Sequence, residues 1–313
     1  MGRVLSSTNI PLELSAWHED VGGFLLGGYE LKQPPSDSAP VICLFHGNGF
    51  CALPYWPFLK PLAEKYHLCL FNLEGHGSSE TRKGGLESWN ATARSMAAAF
   101  QRRKRHWGDR PVIALGHSVG GVMLMLMAQE LMRGDKPWPY QKTLLLDPVI
   151  QPPGMILSIR LLKSLGLMGQ TPLAKRAKAR KSEWGNQQEA VSYLRYRGIY
   201  KAWDDQAFDW FLKEGLRHEA GQLKLNCSPQ TEAAIFSGFP KGLWPMLNKM
   251  PGESSGIIYC KKGLPFIAKA MKKLKKDNPS IEQKSIDGGH CFMLEQPQSS
   301  AKMVADWLET AVL

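Results

Sequence analysis

The chain has 313 residues, of which 43% are hydrophobic and 21% charged, and its formal net charge is +11. This length and balance predict a folded globular protein and exclude a disordered or fibrous chain. No apolar stretch reaches the roughly 18 residues that span a bilayer, and the first ten residues lack the apolar segment of a secretory signal. The six cysteines form no CxxC spacing, which predicts reduced thiols rather than disulfides or a metal site. We therefore expect a cytoplasmic protein.

The positive charge is unevenly distributed. Residues 155–182 contain seven cations and no acidic residue, and Lys261–Lys276 contains seven lysines and no carboxylate. Such runs usually form solvated faces, and they also favour anionic partners such as phospholipid headgroups or CoA esters. No nucleic-acid-binding motif or interleaved stacking aromatics accompany them, so we expect no nucleic-acid partner. The charge pattern leaves contact with a membrane surface open.

The predicted elements alternate between strands and helices over the first half of the chain. The predicted strands are Leu12–His18, Gly23–Leu31, Val41–Phe45, His67–Asn72, Pro111–Leu115 and Thr143–Leu146. The predicted helices are Tyr55–Lys65, Leu86–His106 and Gly121–Met132. Unbroken apolar strands that alternate with helices indicate a doubly wound, mostly parallel α/β sheet.

The alternation stops after Asp147 and resumes about a hundred residues later. Between Pro148 and Gly256 we find no clear strand pattern, but helical patterns over Met155–Leu167, Leu173–Trp184, Gln187–Tyr196, Asp205–Arg217 and Gln230–Phe236. Two strands, Ile257–Cys260 and Ile281–Ile286, and a last helix, Ser299–Val312, follow. We therefore predict an α/β core formed by residues 1–147 and 251–313, with a helical cap inserted at 148–250.

The most informative motif is GHSVG at residues 116–120, between a predicted strand and a predicted helix. G-x-S-x-G in this context is the nucleophile-elbow pattern, in which a sharp turn presents the serine at the carboxyl edge of a sheet. The flanking glycines are needed because a Cβ atom at either position would clash. The motif nominates Ser118 as a nucleophile.

A serine hydroxyl is a weak nucleophile that needs a base, usually a histidine oriented by a carboxylate. His290 follows the last predicted strand in the segment IDGGHCF and is the candidate base. Three other histidines, His46, His76 and His117, lie beside glycines in strand-end loops, where a structural role is the more natural interpretation.

The orienting acid is less clearly marked. After the strand Ile257–Cys260 the sequence continues Lys261-Lys262-Gly263 without a carboxylate. Asp147, at the end of the preceding strand, would lie at the same edge of the sheet and is the candidate acid. Asp287 is the alternative, although its position three residues before His290 makes it hard for the carboxylate to face Nδ1.

Charge that develops on a carbonyl oxygen needs preorganised amide donors. The backbone N–H of Val119, directly after the serine, is one candidate. The loop HGNG at residues 46–49 supplies the other, through either the backbone or the side-chain amide of Asn48. The two glycines allow this loop a close approach.

Four segments together resemble the α/β-hydrolase superfamily: HGNG at 46–49, NLEGHGSS at 72–79, GHSVG at 116–120 and GGH at 288–290. The resemblance covers nearly the whole chain except the cap. It implies a serine-nucleophile member with a helical cap, acting without metal or cofactor. HGNG and the placement of Asp147 resemble the haloalkane dehalogenase branch, but that branch uses an aspartate nucleophile followed by tryptophan, where this chain has Ser118 and Val119.

These residues predict hydrolysis of a carboxylic ester or thioester through an acyl-enzyme on Ser118. The aromatic residues of the cap suit a hydrophobic small-molecule substrate, and its basic segment suits one that also carries an anionic group. The same triad can serve C–C bond hydrolysis or perhydrolysis. A non-catalytic ligand-binding protein of the same fold is the remaining alternative, supported by the missing carboxylate at Lys262-Gly263.

Overall fold

The computed structural model describes residues 10–166 and 171–310. Eight strands form the main sheet: β1 (Leu14–Asp20), β2 (Leu25–Leu31), β3 (Val41–Phe45), β4 (His67–Phe71), β5 (Val112–His117), β6 (Lys142–Leu146), β10 (Ser255–Cys260) and β11 (Glu282–Ile286). Three shorter strands form a second sheet: β7 (Glu183–Trp184), β8 (Leu216–Glu219) and β9 (Gln222–Leu225).

The described part of the chain contains twelve α-helices. They are α1 (Trp56–Leu59), α2 (Trp89–Lys104), α3 (Val119–Leu131), α4 (Pro153–Ser164), α5 (Pro172–Lys178), α6 (Gln187–Leu194), α7 (Asp205–Glu214), α8 (Pro229–Phe236), α9 (Leu243–Lys249), α10 (Pro265–Asp277), α11 (Phe292–Glu295) and α12 (Pro297–Thr310). Within these described residues, no helix is both long and apolar enough to cross a bilayer.

The order of the main sheet is β1-β2-β4-β3-β5-β6-β10-β11. The pairs β1–β2 and β2–β4 are antiparallel, whereas every pair from β4 to β11 is parallel. Strands β3, β4, β5 and β6 are buried along their whole length, as expected for parallel strands covered by helices on both faces. The predicted α/β class and the mostly parallel doubly wound sheet are therefore confirmed.

The sheet divides the core into two hydrophobic clusters, one on each face. One cluster includes Phe45, Phe71, Phe100 and most of α3. The other joins the opposite face to α1, α12 and the buried aromatics of residues 184–211, among them Trp203 and Phe211. The segment between β6 and β10 thus packs its own apolar side chains into the core that supports the sheet edge.

The prediction that no strand lies between residues 148 and 256 is wrong. The helix predicted over Leu173–Trp184 ends at Lys178, and Glu183–Trp184 is in β7. The helix predicted over Asp205–Arg217 ends at Glu214, and β8 and β9 follow as a hairpin. Its two turn residues, Ala220 and Gly221, have φ angles of 51° and 77°, which bring such short strands together. Strands of two to four residues are too short to show a period of two.

Other boundaries differ for local reasons. The helix predicted over Tyr55–Lys65 consists of α1 flanked by two 3-10 turns, Leu53–Tyr55 and Lys60–Glu64, because Pro54, Pro57 and Pro61 each begin a new turn. Helix α10 was not predicted, because its segment was noted only for its lysines. Its buried residues Ile267, Ala270, Met271 and Leu274 follow helical spacing. The predicted helix ends at Leu167 and Val312 lie outside the described residues.

Candidate functional site

Ser118 lies on the turn between β5 and α3, with φ 55° and ψ −119°. A non-glycine residue holds this strained conformation only where its surroundings enforce it. A Cβ atom at Gly120 would lie 2.1 Å from the carbonyl oxygen of Phe45, and one at Gly116 would lie 2.5 Å from Cα of Gly121. The close approach of strand β3, the turn and helix α3 therefore requires glycine at both positions.

Ser118, His290 and Asp147 form a continuous hydrogen-bonded chain. Ser118 Oγ is 2.9 Å from Nε2 of His290, and Nδ1 of His290 is 2.5 Å from Oδ2 of Asp147. Ser118 and Asp147 are buried, with exposures of 5% and 0%, whereas His290 is partly exposed. The structure thus brings together three residues that are as many as 172 positions apart in the sequence.

Asp147 is held by β10 through both its carboxylate and its backbone. Its Oδ1 accepts the backbone N–H of Cys260 at 2.9 Å, and its own N–H donates to Ile258 O at 2.7 Å. Both partners belong to β10, so the strand that carries no acid holds the acid of its neighbour β6. Asp287 is exposed and pairs with Lys261 at 3.0 Å. The structure therefore places Asp147, and not Asp287, against the imidazole of His290.

The loop 46–49 follows β3 and runs beside the elbow. The side-chain amide of Asn48 donates to the carbonyl of Glu232 at 3.2 Å, so this amide faces the segment between β6 and β10. The Cβ of a residue at Gly120 would come 2.6 Å from His46 O, which shows how closely the loop and the turn after Ser118 approach. Asn48 and Val119 thus lie on two backbone segments packed against each other at the nucleophile.

His117, the residue before the nucleophile, connects these parts. Its Nε2 donates to the carbonyl of His290 at 2.9 Å, so Nδ1 is the unprotonated nitrogen and accepts the Tyr55 hydroxyl at 2.6 Å. The Tyr55 oxygen in turn accepts the N–H of Gly47 at 3.2 Å. Burial, followed by the charge of His290, holds the pKa of His117 well below its ordinary value. A neutral His117 therefore links the His290 loop to the loop 46–49.

The other two histidines support the same loop. His46 Nε2 accepts the N–H of Leu73 at 3.0 Å, and His76 Nε2 accepts the N–H of Gly49 at 3.1 Å. Burial lowers the pKa of His76 to about 4 and holds that of His46 well below its ordinary value. Neither imidazole hydrogen-bonds to Ser118, so their observed contacts are structural ones.

Glu214, at the end of α7, is a buried charged residue that the sequence analysis did not identify. It has no exposed surface, and its two oxygens accept the N–H of Leu53 at 2.7 Å and the side-chain amide of Asn72 at 2.6 Å. Burial raises its pKa, against the lowering effect of these hydrogen bonds. No periodicity marks such a residue, because the partners come from distant loops.

A second unpredicted group lies against Gly49. Arg180 pairs with Glu232 at 2.7 Å and donates to the hydroxyl of Tyr200. A Cβ atom at Gly49 would be 3.3 Å from the Glu232 carboxyl carbon and 3.5 Å from Nη1 of Arg180. Trp203 packs edge-on against Phe50 at 5.1 Å, just after the same loop. Residues of the segment 180–232 therefore pack against the loop 46–49.

The described residues contain no group of three or more His, Cys, Asp and Glu side chains arranged to hold a metal ion. The six cysteines are all buried and unbridged. Burial is also the main cause that raises the pKa of the Cys260 thiol to about 12. The hydroxyl of Ser118, and not a thiol, is thus the group that the imidazole of His290 contacts.

Comparison with known proteins gives one family and one fold. The family described as "Serine aminopeptidase, S33" matches residues 36–198, slightly more than half of the chain. Among curated proteins, the abhydrolase domain-containing proteins AKT2 and ACTT2-1 of Alternaria alternata are each 22% identical over 238 residues. Each match covers 64% of this chain and 84% of the relative.

Solved structures match over almost the whole chain at low identity. The crystal structure of E-2-(acetamidomethylene)succinate hydrolase has a TM-score of 0.73 at 18% identity and covers 95% of this chain and 100% of its own. The peroxisomal alpha-beta-hydrolase Lpx1 of Saccharomyces cerevisiae has a TM-score of 0.72 at 16% identity, covering 95% and 87%. The thioesterase domain from the curacin biosynthetic pathway has a TM-score of 0.68 at 17% identity, covering 93% and 99%. At these identities the likeness shows the shared fold.

Proposed function

Because the chain belongs to the serine aminopeptidase S33 family within the α/β hydrolases, we propose that it is a serine hydrolase of hydrophobic carboxylic esters or thioesters. The observation that carries the proposal is the chain of contacts from Ser118 Oγ to His290 Nε2, at 2.9 Å, and from His290 Nδ1 to Asp147 Oδ2, at 2.5 Å. These are the distances at which a base can take the serine proton and a carboxylate can orient that base.

In the proposed reaction, His290 takes the proton of Ser118 as Oγ attacks the substrate carbonyl. The resulting oxyanion accepts hydrogen bonds from the backbone N–H groups of Asn48 and Val119. The backbone amide of Asn48 is favoured over its side chain, which already donates to Glu232 O. His290 then protonates the departing alcohol or thiol, and Asp147 stabilises the imidazolium while it exists. A water molecule, deprotonated by His290, attacks the acyl-enzyme and releases the acid and free Ser118.

The surroundings of the site favour a hydrophobic substrate. Phe50, which directly follows the loop 46–49, packs against Trp203, and Trp203 is only 2% exposed. Water-excluding aromatic walls suit apolar acyl groups and strengthen the interactions of the oxyanion. Arg180, the cation of the basic segment that lies against Gly49, is paired with Glu232, and this pairing favours a neutral ester over one with an anionic group near the carbonyl.

The family description names aminopeptidases, which raises a second candidate substrate class. An aminopeptidase binds the α-ammonium group of a peptide, and this requires an available carboxylate. The carboxylates of this region already have partners: the buried Glu214 accepts amide hydrogen bonds, the partly exposed Glu232 pairs with Arg180, and Glu295 accepts backbone hydrogen bonds from Gly289 and Cys291. The site geometry therefore favours an ester over a peptide. C–C bond hydrolysis could use the same three residues on a different substrate, and perhydrolysis could use them with hydrogen peroxide in place of water as the acyl acceptor.

The test is hydrolysis of p-nitrophenyl esters from acetate to long acyl chains, with leucine p-nitroanilide as the peptide-like comparison. We expect Ser118→Ala to remove the activity and Asp147→Asn to lower kcat by about 10⁴-fold, because the amide favours the wrong imidazole tautomer. Asp287→Asn is the matched control and should retain full activity. Retained activity in Asp147→Asn would contradict the assigned acid.

Labelling by a fluorophosphonate separates the enzyme from the non-catalytic alternative. An activated Ser118 reacts with the probe, and Ser118→Ala does not. A wild-type protein that neither hydrolyses any ester nor reacts with the probe would be a ligand-binding protein of this fold, and the proposed function would be wrong.

A further inference from the structure

The strongest feature outside the site is a row of leucines along α4 and its C-cap residue. Leu157, Leu161 and Leu165 follow one another at four-residue spacing and are 67%, 61% and 62% exposed. Leu162 and Leu173 are also exposed, so five of the nine exposed large hydrophobic side chains in residues 10–166 and 171–310 lie within this short segment. We call Leu157, Leu161 and Leu165, which share one side of the helix, the leucine face.

The leucine face points away from the core. Ile159 is buried and Ile156 packs against the core cluster, so Leu157, Leu161 and Leu165 occupy the opposite side of the helix. A helix that also turns an apolar side away from the core leaves that side exposed among the residues that the structure describes. A contiguous exposed apolar surface of this kind marks an interaction site.

Exposed basic residues occur throughout the segment that carries the leucine face. No acidic residue occurs between Asp147 and Glu183. Six of the seven cations in this segment are exposed: Arg160, Lys163, Lys175, Arg176, Lys178 and Lys181. The seventh, Arg180, is turned inward to Glu232. The exposed positive charge is therefore not neutralised by carboxylates of the same segment.

A groove adjoins the leucine face. It has a volume of about 310 Å³ between α4 and α9, and Leu157 belongs to both features. Its walls are mostly apolar and it carries two cations; the lining includes Ile156, Leu157, Phe239, Trp244, Arg160 and Lys241. Arg160 lies 5.9 Å from the centre of the Phe239 ring. An apolar groove with cations along it matches an acyl chain attached to an anionic headgroup.

We propose that α4 and α5 form a docking surface for an anionic phospholipid bilayer, with the leucine face inserted among the acyl chains and the exposed cations of the segment at the headgroups. Leucines on one side of a helix with lysines and arginines beside them are the composition that binds at such an interface. A second copy of the chain fits less well, because pairing two such faces would bring uncompensated cations together. The proposal concerns binding and goes beyond the proposed hydrolytic activity.

The test is co-sedimentation of the full chain with vesicles of phosphatidylcholine containing about one third phosphatidylserine, compared with pure phosphatidylcholine. We expect at least about tenfold stronger binding to the anionic vesicles, weakened by salt. Leu157→Ser/Leu161→Ser should lower that binding by about tenfold or more. Leu12→Ser/Leu264→Ser, which removes two exposed leucines elsewhere, is the matched control and should bind as wild type does.

A second pair of variants tests the charge. Lys175→Ala/Lys178→Ala should weaken binding by about tenfold or more, whereas Lys272→Ala/Lys276→Ala, which removes two exposed lysines of α10, should not. Equal losses in both lysine pairs would show attraction by net charge alone and overturn the proposal. So would equal binding to both vesicles, binding to neither, or a dimer in light scattering that Leu157→Ser/Leu161→Ser dissociates. Ser118→Ala should bind like wild type, so a failure of the proposed activity leaves this test intact.

Discussion

The residues that form the site are held in conformations that they would not adopt alone. Ser118 and Asp147 have φ angles of 55° and 40°, which L-residues rarely adopt. Each is held by backbone contacts from a neighbouring strand: Ser118 N–H donates to Leu146 O, and Asp147 N–H to Ile258 O. The backbone conformation therefore directs both side chains toward His290.

His117 is expected to position the proposed base. In His117→Phe the ring can still pack on Phe50, but the donor to the His290 carbonyl and the acceptor for Tyr55 are lost. We expect kcat to fall by about 10- to 100-fold, corresponding to a buried hydrogen bond of about 1–3 kcal/mol. His117→Gln, which retains a donor near Nε2, should recover part of that loss. Equal kcat in His117→Phe and wild type, with only stability changed, would show a purely structural role.

His76 makes stability depend on pH. Its folded pKa of about 4 is below its ordinary value of 6.5, so between these pH values only the unfolded chain binds the proton. Stability should therefore be fully present above pH 6.5 and fall by about 3 kcal/mol as the pH drops to 4. His76→Gln should lack this part of the slope in denaturant unfolding. Glu214, whose raised pKa acts in the opposite direction above pH 4.5, is common to both proteins. An unchanged slope would contradict the assignment.

Among the elements, two adjacent parallel strands supply the proposed acid, Asp147, and its support. Asp147 ends β6, and β10 supplies the N–H of Cys260 that binds its Oδ1. A second carboxylate after β10 is therefore not required to orient His290. Gly263 itself lies close to Asp147, since a Cβ atom at this position would be 3.4 Å from Asp147 Oδ2. The absence of an acid at Lys262-Gly263, which supported the non-catalytic alternative, is explained by this pairing.

Helix α7 packs into the core through Phe208 and Phe211, and it adds one buried carboxylate, Glu214. Glu214→Ala would leave the N–H of Leu53 and the amide of Asn72 without their acceptors and open a cavity, so we expect a loss of about 3 kcal/mol in the free energy of unfolding. Glu214→Gln retains one acceptor and should lose less. The exposed Glu64→Ala is the matched control, expected within about 0.5 kcal/mol of wild type. Denaturant unfolding measures all three, and a Glu214→Ala as stable as wild type would contradict the prediction.

At the scale of the whole molecule, residues predicted as a separate cap contribute to the same core as the sheet. Trp184, Trp203 and Phe211 belong to the cluster that packs under β3 and β4. The same segment reaches the candidate site, because Arg180 and Glu232 lie against Gly49 of the loop 46–49. Residues 184–211 are thus a part of the core that supports the sheet.

The pair Arg180–Glu232 should behave as a coupled unit. The side chains are 18% and 13% exposed, so removing one partner leaves a largely desolvated charge next to Gly49. We expect Arg180→Met and Glu232→Gln each to lose about 2 kcal/mol of stability. The double variant should recover most of that loss, because no unpaired charge remains. A double-mutant cycle of unfolding free energies checks this, and additive losses would show that the two residues act independently.

The α/β class, the parallel strands and the nomination of Ser118 and His290 followed from the sequence, because they depend on local patterns: apolar runs, paired glycines and chain order. The sequence left Asp147 and Asp287 as alternatives, and it left open which amide of Asn48 acts as donor. Only the tertiary structure places the carboxylate of Asp147 against His290, since that contact spans 143 residues. The roles of His117 and Glu214, and the β7–β9–β8 sheet, were likewise decided by long-range contacts that no local period can encode. Burial, which fixes the pKa of these groups, is a property of the packed fold.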